Sequence, residues 1–222
     1  MVRNKILLLP VAGIFVFAGL YLIAAALYPG GSQHDPTAVG FSFKYNYWCN
    51  LLNEHSIDGK INPAQPFALA GMIALALSLA TFWYVLPGLL STGVISTSVV
   101  KASGILAMIP ALFIASERHD TMMFVSGLLA AIALTGTLIA LYKAQWNKLF
   151  WLGILNLIAI LLNNILYHST DLIRYLPLLQ KITFGLFLGW ICVISIQLYK
   201  LPTAKLSGKA FRNQQAPRIA VK

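Results

Sequence analysis

The chain predicts an all-α integral membrane protein of six transmembrane helices, with a long structured extracytoplasmic loop between helices 1 and 2. Three observations predict it. Only 10% of the 222 residues are charged, against about a quarter in a soluble domain. Six apolar runs have the length, about 20 residues, that a helix needs to cross the hydrocarbon core. All six carboxylates and all four histidines fall in three short polar stretches between those runs. Alternating strand patterns are absent, and a segment in lipid must close its own backbone hydrogen bonds, so each run reads as a helix.

The first run, 6–28, follows Arg3 and Lys5. It is about twice as long as the core of a signal peptide, so it reads as a retained span. The loop, 29–66, opens on the turn-rich YPGGSQHDP. It continues as FSFKYNYWCNLLNEH, where Tyr45, Trp48, Cys49, Leu52 and His55 recur at helical spacing. That spacing predicts a short amphipathic helix lying in the interface. Asn62-Pro63 reads as a helix cap followed by proline at the first helical position. The second run is 67–86. The third, 94–115, contains Lys101, which can snorkel to the near surface, and Pro110, which should kink the helix. The fourth, fifth and sixth runs are 122–142, 149–167 and 178–199. Gly13, Gly19, Gly71, Gly104, Gly127, Gly136, Gly185 and Gly189 are expected to admit close helix packing, the last two as a small-xxx-small step. Cys49 belongs to the loop, and Cys192 lies roughly 20 Å below the outer end of the last run, so no internal disulfide is expected.

Lysine and arginine set the orientation. With the N-terminus inside, eleven of the sixteen basic residues face the cytoplasm and five face outward. The positive-inside bias then places both termini in the cytoplasm, most simply that of a bacterial cell. Residues 1–200 form the transmembrane domain and 201–222 a basic cytoplasmic tail. The net charge of +10 is mostly an inner-face property, pointing to anionic membrane lipids as partners and away from nucleic acid.

The candidate site is the outer face. His34, His55, His119 and His168 each lie within three residues of a carboxylate. Asn164 and His168 are one helical turn apart, with Asp171 three residues on. A polar stripe of Asn156, Asn163, Asn164 and His168 is expected to point into the bundle, because amides facing lipid would be unsatisfied. The expected pocket combines His119, Asp120, His168, Asp171 and Asn164 with His34 or His55 from the folded-over loop. His119, His168 and Asp120 have ligand types that suit zinc, and a zinc-bound water could hydrolyse a lipid ester or amide. The plainer reading is a structural network of caps and salt bridges, in which Arg118, Arg174 and Lys181 neutralise the carboxylates. No HExxH or HxxxH is present, and the histidines at span ends do not suit a bis-histidine haem.

NYWCNLL, followed by NPAQPFALAGM entering the second run, resembles a bacterial and archaeal family of polytopic membrane proteins related to the DRAM/Sfk-like group. ERHD before the fourth run, and LLQKITFGLFLGWICVISIQL as the last, fit the same pattern. The resemblance implies the fold and an association with lipid, and it supplies no catalytic residues. Two functional classes follow. One is a lipid-associated protein that binds or remodels an outer-leaflet lipid at the histidine/carboxylate pocket. The other is a non-catalytic accessory subunit that contacts a membrane-protein partner through the first loop. The residues do not decide whether the protein is an enzyme. Converging histidines would favour the first class; dispersed histidines and an exposed apolar flank would favour the second.

Overall fold

The computed structural model describes residues 5–90, 94–113 and 118–201, apart from the side chains of Val94, Ile95 and His119. Glu117 and the basic tail beyond Leu201 lie outside the described residues. Six helices follow one another: α1 Leu9–Leu27, α2 Gln65–Leu89, α3 Val94–Leu112, α4 His119–Lys143, α5 Asn147–Tyr167 and α6 Leu176–Lys200. Each matches an expected run to within a few residues. Five are long and apolar enough to cross a membrane, while the apolar stretch of α3, Ser96–Leu112, is shorter.

The helix ends follow local chemistry. Pro10, Pro66 and Pro177 stand in the first turns of α1, α2 and α6, where a missing N–H costs nothing. Asp120 opens α4 and Lys143 closes it, each complementing the helix dipole. The expected start of α2 shifts. The helix begins at Gln65, and the Asn62 side chain accepts the Ala64 N–H at 3.1 Å in the turn before it. Pro110 stands inside α3, in its final turn. The Lys101 ammonium lies 3.5 Å from the Tyr84 ring centroid, a cation–π contact between α3 and α2.

The helices approach closely where glycine leaves room. A Cβ at Gly13 would overlap Ser78, at Gly71 Tyr21, at Gly104 the Trp83 indole, and at Gly136 Val100. The Gly153 position lies against Leu138 and Trp190. Gly19, Gly127, Gly185 and Gly189 instead meet open space, so the close-packing expectation fails at those four. Buried side chains form one core that runs along the bundle. Near the α1–α2 loop they include Tyr21, Ala24, Tyr28, Leu51, Leu52 and Ala68. At the far end they include Trp83, Leu86, Leu141, Trp190, Ile194 and Leu198. The two buried indoles are satisfied: Trp83 Nε1 donates to Thr137 Oγ1 at 3.3 Å and Trp190 Nε1 to the Leu149 carbonyl at 2.8 Å.

Along this core α4 and α5 are unevenly covered. The buried residues of α5 are Leu149, Gly153, Asn156 and Ala159, all in or near its first half. Those described in α4 begin only at Ala133. The loop-end halves of both helices therefore present an apolar flank that includes Phe124, Leu128, Leu161 and Ile165. The polar stripe on α5 divides in the same way. Asn156 is fully buried. Asn163 donates to the Ala159 carbonyl at 2.9 Å and across to Thr183 Oγ1 on α6 at 2.6 Å. Asn164 and His168 are exposed, so the expectation that they point into the bundle is corrected. Successive helical positions differ by about 100°, and only the Asn163 side of the turn meets α6.

A double-mutant cycle checks that one bond. Asn163→Leu and Thr183→Val are expected to show a coupling of about 0.6 kcal/mol, the average for such contacts in bilayers. A coupling indistinguishable from zero would mean that the α5–α6 contact is held by packing alone.

Candidate functional site at the loop end

The α1–α2 loop is built around buried asparagines. Asn46 accepts the Ser42 N–H at 2.8 Å and donates its amide to the Gly31 carbonyl at 2.8 Å. Asn50 accepts the Tyr47 N–H at 2.6 Å. Side chains that take up nearby backbone groups hold the chain in turns and compete with helix formation. The predicted amphipathic helix is accordingly reduced to one 3-10 turn, Trp48–Leu52. The buried residues there are Asn46, Asn50, Leu51 and Leu52, while His55 is exposed. Gly31 has a φ of 79° and backs onto Ile57 and Asp58, so a side chain would be both strained and obstructed there.

Bonds from both halves of the loop fix it to the helices. The Trp48 N–H donates to Gln180 Oε1 at 3.0 Å. Lys181 Nζ donates to the Asn46 carbonyl and, at 3.0 Å, to the Pro177 carbonyl of its own helix. The Ile57 N–H donates to the Tyr28 hydroxyl at 3.0 Å. Aromatic rings fill the junction. Trp48 lies edge-on to Tyr21 with centroids 5.3 Å apart and stacks on Phe41 at 5.8 Å. The Lys181 ammonium sits 5.5 Å from the Phe41 centroid and 5.3 Å from that of Trp48. The expectation that Lys181 neutralises a carboxylate is thus corrected: its acceptors are carbonyl oxygens and ring faces. Arg174 likewise lies over a ring, that of Tyr175, at 4.8 Å.

The carboxylates of the loop serve its own turns. Asp35 accepts the Thr37 hydroxyl at 2.7 Å and the Thr37 N–H at 2.9 Å, which hold its carboxyl below the usual range. Asp58 accepts from Lys60 Nζ at 2.8 Å and from the Ser56 hydroxyl, with the same effect. His34 is exposed and stacks on Tyr45 with centroids 4.7 Å apart. His55 pairs with Ile61 across a single β-bridge.

At the mouth between α4 and α5 the pieces come nearer. The Tyr167 hydroxyl donates to Asp120 Oδ1 at 3.4 Å, joining the start of α4 to the end of α5. His168 lies edge-on to Tyr167, with centroids 5.2 Å apart. Tyr47 reaches over from the loop. Its phenol is raised above the ordinary range by burial, and further by the nearby Tyr167 phenol and Cys49. Asp171 is exposed beyond the end of α5. Of the predicted pocket, Asp120 and His168 are therefore linked through Tyr167, whereas His34, His55, Asn164 and Asp171 are each exposed and locally placed. Sequence reasoning missed Asn46, Tyr47, Tyr167 and Gln180. The pair Asn46 and Asn50, spaced as if on one helical face, was the signal that could have exposed the turns.

The zinc reading needs His119, His168 and Asp120, and the His119 side chain is not described. Among the described residues, no three His, Cys, Asp or Glu side chains gather as a metal-holding group. Cys49 and Cys192 are both free thiols.

The chain matches no protein-family model, no curated protein and no solved structure. The resemblance to the DRAM/Sfk-like group rests on its short motifs and adds nothing further to the functional argument.

Proposed function

We propose that the protein is a non-catalytic accessory component of a membrane complex that meets its partner through the α1–α2 loop. The observation that carries this reading is the loop itself, a fixed platform with apolar side chains on its outer turns. Val39 is 97% exposed and Ile61 77% exposed. The two turns adjoin, since the Asp58 N–H faces the Gly30 carbonyl and Gly30 bridges to Val39. Asp35 and Thr37 shortly precede Val39 in the chain, and Asp58 and Lys60 precede Ile61. Apolar side chains rimmed by polar ones mark an interaction surface. The locally held histidines and the open flank of α4 and α5 favour the same class.

The topology belongs to this proposal. Asp120 at the start of α4 lies on the loop side, beside Tyr167 and Tyr47. In this reading α2 leads away from that side and α3 carries the chain back across the bilayer, making six crossings. The excess of lysine and arginine at the other face puts the loop outside and both termini in the cytoplasm.

Photo-crosslinking residues placed at Val39 and Ile61 test the reading, with Leu77 on α2 as the lipid-facing control. In native membranes, both loop positions are expected to give a protein adduct of one discrete mass, and Leu77 lipid adducts. A membrane-impermeant thiol reagent should label Val39→Cys and Ile61→Cys no more strongly in permeabilised cells than in intact ones. Lipid adducts alone at the loop positions would overturn the partner reading, and labelling that appears only after permeabilisation would overturn the orientation.

A further inference from the structure

The cation at the loop junction, Lys181, has no carboxylate partner within ion-pair distance among the described residues. Its ammonium has three N–H groups. Two are directed to the Asn46 and Pro177 carbonyls, and the rings of Phe41 and Trp48 flank it. Lys181 is part-buried, not fully enclosed. Lys181 stands five residues past the start of α6, roughly 7 Å below the helix end, which is the depth of the headgroup boundary in the proposed topology. Directly beneath it, at intervals of four residues, come Gly185 and Gly189, which share its face. Both are exposed, and a Cβ at either would meet nothing within 4 Å. Exposed Leu178, Ile182 and Val193 border this slot.

We propose that Lys181 holds the phosphate of an anionic outer-leaflet phospholipid whose acyl chain lies in the slot over Gly185 and Gly189. Charge selects the occupant. A second apolar helix could fill the slot, but it would leave the ammonium unmatched. A phospholipid supplies an anion at the level of Lys181 and a chain directly below it. The third N–H makes a charge-assisted bond to a phosphate oxygen, as lysine commonly does as a point charge. This inference concerns the flank of α6 and is independent of the partner proposed for the loop.

The test is lipid retention by the full chain, measured by native mass spectrometry after extraction from nanodiscs of mixed phosphatidylglycerol and phosphatidylcholine. The wild-type chain is expected to retain one phosphatidylglycerol in preference to phosphatidylcholine. Lys181→Met should reduce that preference about tenfold, and Lys181→Arg should keep most of it. Gly185→Leu fills the slot without touching the bonds that hold the loop, and should also reduce retention about tenfold. It therefore separates lipid binding from any displacement of the loop by Lys181→Met. Equal retention of the two lipids by the wild-type chain would overturn the proposal. So would wild-type retention by Gly185→Leu, or a change of oligomeric state in that variant with lipid retention intact.

Discussion

Gly104→Ala is expected to destabilise the helix bundle by about 1–3 kcal/mol, the usual cost of forcing extra volume into a packed core. The substitution adds one methyl group, and on an exposed helix it would stabilise by up to ~1 kcal/mol. Here the new Cβ overlaps the Trp83 indole. That indole cannot step aside, because it is 1% exposed and its Nε1 is bonded to Thr137 on a third helix. The strain therefore passes to the joint of α2, α3 and α4. Gly127→Ala is the matched control, since a Cβ there meets open space, and it should be neutral or slightly stabilising. Thermal unfolding in one detergent compares the two variants. If Gly104→Ala melts with Gly127→Ala, the joint is looser than the geometry implies.

Asn62→Ala is expected to free the second half of the loop while leaving the helices in place. Asn62 is buried, and its amide donates to the carbonyls of Leu51 at 3.2 Å and Asn53 at 2.8 Å. Its side-chain oxygen accepts the Ala64 N–H at the threshold of α2. Its amide also reaches the Asn50 carbonyl at 3.4 Å, so alanine leaves four backbone groups without this partner, at about 1–3 kcal/mol for each that stays buried. Amides of residues 46–61 should exchange with deuterium at least tenfold faster, with those around Trp83 and Leu86 unchanged. Asn62→Asp keeps the acceptor and loses the donors, so its exchange should fall between wild type and alanine. Unchanged exchange throughout the loop in Asn62→Ala would show that Asn62 does not hold it.

The helices were legible because lipid imposes a single rule, that every backbone group be satisfied within its own segment, and that rule is written in length and composition. The prolines were less informative: the one start read from a proline, Asn62-Pro63, lies ahead of the helix, which begins at Gln65 with Pro66 in its first turn. The loop misled for a physical reason. Tyr45, Trp48, Cys49, Leu52 and His55 have helical spacing, but the Asn46 and Asn50 side chains take the backbone groups that a helix would have used. Among the candidate residues, Asp120 and His168 both contact Tyr167, which carries no charge to attract notice. The lysine that organises the junction was visible as a cation in an apolar run. Its acceptor, the Asn46 carbonyl, lies 135 residues away and leaves no trace in side-chain chemistry. The open space over Gly185 and Gly189 likewise depends on what fails to pack against α6, which helical spacing alone does not report.

That separation along the chain also orders the protein's biogenesis. The ribosome makes Asn46 and Trp48 early, and the lysine and glutamine that clasp them belong to the last helix. Until α6 has been inserted, the loop can close its own turns but lacks the contacts that seat it. Seating of the loop is therefore a late event, a signature of finished assembly displayed on the face where the partner would dock.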